Sequence, residues 1–380
     1  MEPLEKLQLL GKAACYEPAE DVGMTGEPLA APCTPEELVG CIHNAATPQG
    51  RIPLLKTLIS SACERDCIYC PFRSGRDFRR ATFTPDELAR LFLQLYQNGL
   101  VKGVFLSSAL AGTGPHMQDD ILAAAEILRH RYHFRGYIHL KIMPAAERDQ
   151  IAAGMALADR VSLNLEAPNA KRLSKLAPHK QFDNELLQKL QWVEEIRQAD
   201  PERRWSSTTT QFVVGPSGES DVELLLTTEY LYNRLKLKRA YFSKFSPIDD
   251  TPLEGYPPTP LAREQRLYQA SFLLRDYGFT AEELPFASGG NLPLEEDPKV
   301  LWAKANLMEA PVEINTAERE TLLRIPGVGL QGVNKLIEAR RRGALCDLSS
   351  LSKLGIYAHR AAPYILLDGH RPAQQLRLWG

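Results

Sequence analysis

Strand-like and helix-like segments alternate six times between residues 52 and 282, and this alternation constrains the fold more than any other feature. The predicted strands share short aliphatic runs, and they are Leu54–Ser60, Val101–Ser108, Gly136–Pro144, Arg160–Ala167, Ser206–Gly215 and Arg239–Ser246. Strands alternating with helices predict βα units and a parallel sheet. Six such units fit either an open doubly wound sheet or a partial barrel.

The side chains of two predicted strands separate these folds. In Tyr137–Ile142 every second residue is aliphatic and the others are Tyr, His and Lys, while in Val161–Glu166 the others are Ser, Asn and Glu. A parallel strand buried on both faces is instead a continuous apolar run. One polar face predicts the lumen of a partial (β/α)6 barrel. A one-sided antiparallel sheet would need hairpin turns, which the long helical connections do not supply.

The composition changes along the chain and predicts four parts. Residues 1–50 are rich in Pro, Ala and Glu and are predicted to form a leader that packs on the barrel. The barrel itself is predicted over residues 51–282. Residues 283–310, rich in Pro and acidic side chains, are predicted to be a linker or bridging segment, and residues 311–380 a small all-α domain with glycine hairpins.

The charge is divided unevenly between these parts. The whole chain carries a net charge of -2, so no overall basicity indicates a nucleic-acid partner. Residues 311–380 nevertheless hold ten Lys or Arg against six Asp or Glu. This leaves the C-terminal part at about +4 and the rest at about −6, which favours an anionic partner for the C-terminal part.

Three of the seven cysteines, Cys63, Cys67 and Cys70, lie within eight residues. They directly follow the first predicted strand, and α/β folds place their chemistry at the carboxyl ends of strands. Thiolates prefer soft metals. Three thiolates without an obvious fourth favour a 4Fe-4S cluster with one open iron, because structural zinc normally takes four ligands. Zinc with a remote fourth ligand, and structural or redox cysteines, are the alternatives.

The remaining cysteines carry less information. The spacing of Cys15, Cys33 and Cys41 matches no ligand pattern, so an auxiliary cluster there is left open, and Cys346 is predicted to be a small buried hydrophobe. No apolar run approaches the length of a membrane span. The acidic N-terminus lacks the layout of a signal peptide. Together with unpaired cysteines, these features predict a cytoplasmic protein without membrane contact.

The cysteine spacing, with Tyr69 at an aromatic position before Cys70, resembles the motif of the radical S-adenosylmethionine (radical SAM) superfamily. The resemblance implies a six-unit partial barrel and S-adenosylmethionine chelated to the open iron. It also implies reductive cleavage of this cofactor to a 5′-deoxyadenosyl radical that abstracts hydrogen from the substrate. The electron would come from a donor such as flavodoxin or ferredoxin.

The resemblance further implies a set of cofactor contacts around the lumen: Tyr69, Ser107, Ser108, His139, Lys141, Asn164, Glu166 and Gln211. Ser107 and Ser108 replace the Gly-Gly-Glu that often binds the cofactor's amino group. Asn164 and Glu166 match polar groups near its ribose and carboxylate. The alternative for each residue is a polar lumen side chain bonded to its neighbours.

The segment Leu322–Gly329 contains Ile-Pro-Gly-Val-Gly and resembles a helix-hairpin-helix. Such a hairpin presents backbone N–H groups to a DNA phosphate without reading sequence. The implied DNA contacts are Gly327, Val328, Gly329, Lys335, Arg340 and Arg341. A second hairpin, Leu354–Ile356, departs from the pattern. The alternative is a module for helical packing or protein contact.

Taken together, the chain resembles a group of radical SAM proteins with a DNA-binding tail, described as DNA modification or repair proteins. The resemblance implies a nucleotide in DNA as substrate. Two alternatives remain at this point. One is a DNA-binding iron–sulfur protein whose cluster is structural or redox-sensing, without turnover, and the other is a radical SAM enzyme acting on RNA or protein.

Overall fold

The computed structural model describes residues 1–14, 40–47, 50–111 and 114–372. The chain forms two compact units, the first made of residues 1–219 with 230–259, and the second of residues 220–229 with the chain from 260 onward. The second unit therefore begins before the predicted linker. The division into four parts stays a prediction.

The first unit is built on one seven-stranded sheet whose strands follow chain order. The strands are β1 (Ile42–Thr47), β2 (Gly50–Leu58), β3 (Gly103–Ser107), β4 (Tyr137–Lys141), β5 (Arg160–Ser162), β6 (Ser207–Val214) and β7 (Arg239–Lys244). Strands β2 to β7 pair in parallel, and they correspond to the six predicted strands. Parallel strands in chain order with helical connections form the predicted partial barrel.

Helices connect these strands. They are α1 (Pro3–Ala13), α2 (Pro85–Gln97), α3 (Gly114–Glu126), α4 (Arg148–Leu157), α5 (Ala170–Leu176), α6 (Gln188–Ala199) and α7 (Asp221–Arg234). Thr84 starts α2 with a capping box, because its hydroxyl accepts from the Glu87 N–H while the Glu87 carboxylate accepts from the Thr84 N–H. The π-helical segment Ile127–Arg131 continues α3, and Phe182–Leu187 leads into α6.

An apolar layer lies between the sheet and its helices. Leu55, Val104 and Ile138 of the strands share a fully buried cluster with Leu88 and Phe92 of α2. Burial of such side chains stabilises the unit by about 1.5–3 kcal/mol each. The alternate residues of the strands face the lumen, as the sequence pattern predicts.

The described part of the predicted leader contributes two elements that the sequence did not reveal. Strand β1 pairs antiparallel with β2, and Leu7 and Leu10 of α1 are fully buried. Cys41 packs against α1 so closely that a Cβ on Gly11 would lie 2.3 Å from its Sγ. Cys41 therefore has a packing role, while Cys15 and Cys33 lie outside the described residues.

The second unit consists mainly of short helices. They are α8 (Leu261–Asp276), α9 (Pro298–Leu307), α10 (Arg319–Arg324), α11 (Leu330–Arg340), α12 (Leu348–Lys353) and α13 (Ala358–Ala361). The all-α prediction is corrected by two short parallel strands, β8 (Val312–Glu313) and β9 (Ile365–Leu366). Strands of two residues leave no alternating pattern in a sequence. Cys346 is exposed, not buried as predicted.

Two successive helix pairs are joined by glycine turns in this unit. Helices α10 and α11 are joined through Ile325–Gly329, where Gly327 has a φ of +86°. A Cβ on Gly327 would lie 2.6 Å from the Tyr357 carbonyl oxygen, so only glycine fits there. The assignment of these pairs as helix-hairpin-helix motifs stays a prediction. No helix of the described residues is long and apolar enough to cross a membrane.

The close packing of β3 on β4 gives a test of the barrel. A Cβ on Gly103 would lie 2.7 Å from the Tyr137 carbonyl oxygen and 3.0 Å from a methyl group of Leu54. We expect Gly103→Ala to lower the free energy of unfolding by about 1–3 kcal/mol, because the strand must shift. Urea denaturation followed by circular dichroism measures this change.

Gly255→Ala is the matched control, because a Cβ there meets nothing within 4 Å. We expect its free energy of unfolding to stay within about 0.5 kcal/mol of wild type. Equal stabilities of the two variants would contradict the described register of β3 and β4.

Candidate functional site

A cavity of about 370 Å³ lies at the carboxyl ends of the parallel strands in the first unit. This is the edge at which barrels and open α/β sheets bind ligands. Nine of the residues predicted from the sequence line this cavity: Cys63, Cys67, Tyr69, Cys70, Ser108, Lys141, Asn164, Glu166 and Gln211. The fold thus brings the cysteine loop and the polar strand faces to one place.

Ser107 and His139 do not line this cavity, and their role as cofactor contacts stays a prediction. Ser107 is fully buried, and His139 is buried with its Nε2 2.9 Å from Ser162 Oγ. The imidazole also packs edge-on against Phe105, with ring centroids 4.6 Å apart. Residues that face the lumen are two apart along a strand, about 6–7 Å. His139 therefore lies one step below Lys141.

The three cysteines lie on the loop between β2 and α2, and burial affects the acidity of two of them. Cys67 is buried, and Cys63 and Cys70 are half-buried. Burial raises the pKa of the Cys67 and Cys70 thiols, and the neighbouring cysteines raise it further. Thiolates are the form that binds metal, and a bound cation stabilises them. The donor set therefore fits a group that brings positive charge to the loop.

The geometry of the described residues also bears on the kind of metal group. Among them, no three His, Cys, Asp or Glu side chains converge closely enough to hold one metal ion. The cysteines of an iron–sulfur cluster bind different irons, so three thiols spread along one loop fit a 4Fe-4S cluster.

A buried ion pair lies beside the cysteines. Lys180 Nζ is 3.3 Å from Glu166 Oε1, and both side chains are at most 10% exposed. Burial alone would lower the pKa of Lys180, but Cys67 and Glu166 raise it above its ordinary range. Burial and Glu166 raise the pKa of Tyr69. Lys180 is thus a fixed positive charge next to the thiols, and the sequence reasoning missed it.

Glu166 is also unusual in its backbone. Its φ is +65°, a left-handed conformation that costs a residue other than glycine about 1–3 kcal/mol. The conformation is held by β6, because the Glu166 N–H donates to the Gln211 carbonyl at 2.9 Å and the Glu166 carbonyl accepts from the Val213 N–H at 2.8 Å. This backbone conformation places the Glu166 carboxylate in the cavity beside Lys180.

Three polar side chains from neighbouring strands form a row across the cavity. Lys141 Nζ donates to Asn164 Oδ1, and Asn164 Nδ2 donates to Gln211 Oε1 at 3.2 Å. An ammonium group and two amides in a row provide donors and acceptors for a ligand with carboxylate or hydroxyl groups. This pairing across strands was not visible in the sequence.

A second cavity, of about 410 Å³, lies at the first glycine turn of the second unit. Gly327, Val328 and Gly329 line it, as do Lys299 and Arg360. Helix α11 begins at Leu330, and its N-cap residue Gly329 supplies no side-chain cap. The first-turn N–H groups, which have no partner within any helix, are therefore not capped by a side chain of that residue. Lys299 and Arg360 were not found by sequence reasoning, because neither lies in the hairpin.

The structure places some of the other predicted DNA contacts at the surface and others inside the second unit. Lys335 and Arg341 are exposed. Arg340 instead points inward, where its guanidinium donates to the carbonyls of Ile314 at 3.1 Å and Ala317 at 2.7 Å. The Val328 side chain is buried, and its N–H donates to the Ile325 carbonyl. Both groups thus stabilise the fold of the second unit, and their contact with DNA stays a prediction.

Comparisons with known proteins are consistent with this site. Residues 57–231 match the family model of the Radical SAM superfamily. No curated protein sequence matches the chain. Among solved structures, methylornithine synthase (PylB) is similar over 58% of this chain and 61% of its own, with 15% identity and a TM-score of 0.47.

Two further structures show a similar level of likeness. The FeFe-hydrogenase maturase HydG from Carboxydothermus hydrogenoformans has 14% identity and a TM-score of 0.45 over 58% of this chain and 51% of its own. Coproporphyrinogen III oxidase (HemN) from Escherichia coli has 13% identity and a TM-score of 0.39 over 67% and 59%. The chain thus spans about half to three fifths of these proteins.

These scores and identities are low, so the family assignment rests on the match of residues 57–231. That segment runs from β2 to α7 and contains the three cysteines and the polar row. The match covers less than half of the chain, and over this segment the chain is similar to the radical SAM superfamily, whose cofactors are a 4Fe-4S cluster and S-adenosylmethionine. The three cysteines fit that cluster.

Proposed function

We propose that this radical SAM enzyme modifies or repairs a nucleotide in DNA. The observation that carries the proposal is the cationic cavity at the glycine turn of the second unit. There Lys299 Nζ lies 2.7 Å from the Val328 carbonyl oxygen, and Arg360 lines the same cavity. Arg360, the protonated form of Lys299 and the N-terminus of α11 favour a phosphate, whereas Asp297, which lines the same cavity, opposes it. Such contacts hold DNA without reading its sequence.

The charge around the cysteine loop also supports a polyanionic substrate. Residues 63–80 contain five arginines against three acidic residues. Positive charge beside a cavity raises the local concentration of an anionic ligand and its association rate. A net charge of -2 for the whole chain therefore does not oppose DNA binding.

The cofactors supply the reaction, and the chain supplies the surroundings. When bound, the 4Fe-4S cluster and S-adenosylmethionine supply reductive cleavage to a 5′-deoxyadenosyl radical that abstracts hydrogen. Cys63, Cys67 and Cys70 would hold the cluster, with Lys180 as a fixed cation beside them. Lys141 and the amides in its row would orient the polar groups of S-adenosylmethionine. An electron donor such as flavodoxin or ferredoxin completes the proposal.

The substrate is tested by comparing nucleic acids in one assay. The reconstituted enzyme is incubated anaerobically with dithionite and S-adenosylmethionine, alone or with DNA, RNA of the same sequence, or an unrelated protein. We expect DNA to increase the rate of 5′-deoxyadenosine formation most. A greater increase with RNA or protein, or none with DNA, would contradict the proposed substrate.

The cysteine loop generates a prediction on cluster binding. We expect about four irons per wild-type chain, and loss of iron and of 5′-deoxyadenosine formation in Cys67→Ala, because one thiolate is removed. Iron analysis and chromatography of the products measure both. Cys346→Ala, which removes an exposed cysteine of the second unit, should keep wild-type iron and activity.

Full iron content in Cys67→Ala would contradict the assignment of the cluster. A wild-type content of about eight irons would instead indicate an auxiliary cluster, for which Cys15 and Cys33 are the remaining candidates.

Arg80 holds the cysteine loop in shape. Its guanidinium donates to four carbonyls spread over the loop, those of Ser61, Phe72, Arg73 and Arg76, at 2.9 to 3.4 Å. It also lies 4.3 Å from the centre of the Phe78 ring. A guanidinium has five N–H donors in a fixed plane, whereas an ammonium group has three, too few for all four bonds.

We therefore expect Arg80→Lys to lower the free energy of unfolding by about 1.5–3 kcal/mol and to speed the loss of iron to a chelator. The exposed neighbour Arg79 provides the control, and Arg79→Lys should change neither quantity. If both variants lose iron at the wild-type rate, Arg80 has no part in positioning the cysteines.

The environment of Lys299 predicts a pH dependence of DNA binding. Burial lowers the pKa of Lys299 to about 7, Asp297 opposes this shift and Arg360 adds to it. Tyr277 faces it too, with Nζ 4.5 Å from its ring centre, and burial raises the pKa of that hydroxyl. Lys299 is thus charged below pH 7 and neutral above. A phosphate favours the charged form.

We expect the affinity for duplex DNA to fall about tenfold from pH 6 to pH 8.5 at constant salt. Lys299→Gln should bind weakly at both pH values, as measured by fluorescence anisotropy. Lys304→Gln, an exposed position on the same helix, should retain the wild-type pH profile. A profile of Lys299→Gln that matches wild type would show that another group titrates.

A further inference from the structure

We infer that the second unit recognises DNA carrying an unpaired base next to the bound phosphate, and that the Tyr357 ring stacks on this base. The inference rests on the proposed function, because it names the kind of DNA that the same cavity takes. It starts from one side chain. Tyr357 is 65% exposed, more than any other large hydrophobic side chain of the described residues.

An isolated exposed aromatic residue is common and needs no explanation by itself. The position of Tyr357 distinguishes it. Tyr357 lines the same 410 Å³ cavity as Gly327, Lys299 and Arg360, which are the groups proposed to hold the phosphate. Tyr357 thus contributes to the lining of a cavity that also contains Lys299, Arg360 and Asp297.

The backbone of Tyr357 is fixed although its ring is exposed. Its N–H donates to the Gly327 carbonyl at 3.1 Å, and its own carbonyl accepts from the N–H groups of Arg360 at 2.9 Å and Ala361 at 3.2 Å. Gly327 permits this approach because it has no side chain. A tyrosine on a fixed backbone loses only two side-chain torsions on binding, so the entropic cost is small.

Two other exposed tyrosines also have an edge-on aromatic neighbour but are less exposed than Tyr357. The Tyr96 ring packs edge-on against Phe134 with centroids 4.9 Å apart, and Tyr256 packs against Phe245 at 6.1 Å. The aromatic neighbour of Tyr357 is His359, at 6.4 Å and nearly perpendicular. With 65% of the residue exposed, Tyr357 leaves ring surface that a flat ligand can contact.

The chemistry of this arrangement selects unpaired bases. Stacking of a base on an aromatic side chain works for every base, because each has a π-face. In an intact duplex these faces are covered by the neighbouring bases, and only base edges are presented in the grooves. A single strand, a gap or a frayed end exposes a face. Enzymes that act on a base also need it outside the stack.

The test uses the full-length chain and three fluorescein-labelled DNA probes of one sequence: single-stranded, fully duplex, and duplex with a one-nucleotide gap. We expect wild type to bind the single-stranded and gapped probes more tightly than the duplex. Tyr357→Ala should weaken binding of those two probes about tenfold and change duplex binding less than twofold. Tyr357→Phe should retain the preference, because the ring and not the hydroxyl does the stacking.

Two controls separate the causes. Tyr230→Ala removes a tyrosine that is 41% exposed elsewhere and should leave all three affinities unchanged. Thermal unfolding should show that Tyr357→Ala is as stable as wild type, because the lost ring is exposed. If Tyr357→Ala binds the gapped and single-stranded probes as wild type does, or loses duplex affinity equally, the stacking role is wrong while DNA binding stands. If wild type binds no probe, the proposed function fails as well.

Discussion

The ion pair between Lys180 and Glu166 is the interaction on which the candidate active site depends. Two buried charges cost free energy by desolvation, and removing one partner leaves the other uncompensated. Here the pair joins three parts of the first unit, because Glu166 follows β5, Lys180 follows α5 and both lie against the cysteine loop. The loop itself is bonded to α5 through Ile68 N–H and the Leu176 carbonyl at 2.8 Å. The pair thus fixes where the thiols lie relative to the strands.

The phosphate site proposed for the second unit depends on a different kind of interaction. A phosphate site needs hydrogen-bond donors and positive charge at the surface, and it does not need a buried ion pair. The close approach of Gly327 to Tyr357 brings the glycine turn, Arg360 and an aromatic ring around one cavity, and Lys299 adds a cation from α9. Each residue is ordinary alone. Their combination supports DNA as the partner.

The sequence was sufficient for the six parallel strands, since alternation in segments such as Tyr137–Ile142 reflects the two faces of a strand. An alternating pattern does not show how far along the strand a residue lies from the cavity. His139 and Lys141 therefore looked equivalent, although only Lys141 lines the cavity. Strand β1 was missed because Ile42–Thr47 has no aliphatic alternation. An antiparallel strand at the edge of a sheet needs little of it.

The site residues that were missed or misassigned share one cause: their roles depend on carbonyls and charges brought near by the fold. Arg80 and Arg340 are both arginines in basic runs, yet each donates to backbone carbonyls from several segments. Lys180 lies 110 residues after Cys70 in the chain, and no spacing connects them. Cysteine spacing succeeded because one short loop holds all three ligands.

The central claim is that hydrogen abstraction in this enzyme occurs on DNA, and isotope transfer tests it most directly. The reduced enzyme is incubated with S-adenosylmethionine and DNA whose nucleosides carry deuterium at all carbon-bound positions, and 5′-deoxyadenosine is analysed by mass spectrometry. The account predicts 5′-deoxyadenosine enriched in deuterium with this DNA, and no enrichment with deuterated RNA. If 5′-deoxyadenosine formed in the presence of deuterated DNA contains no deuterium, the claim is contradicted.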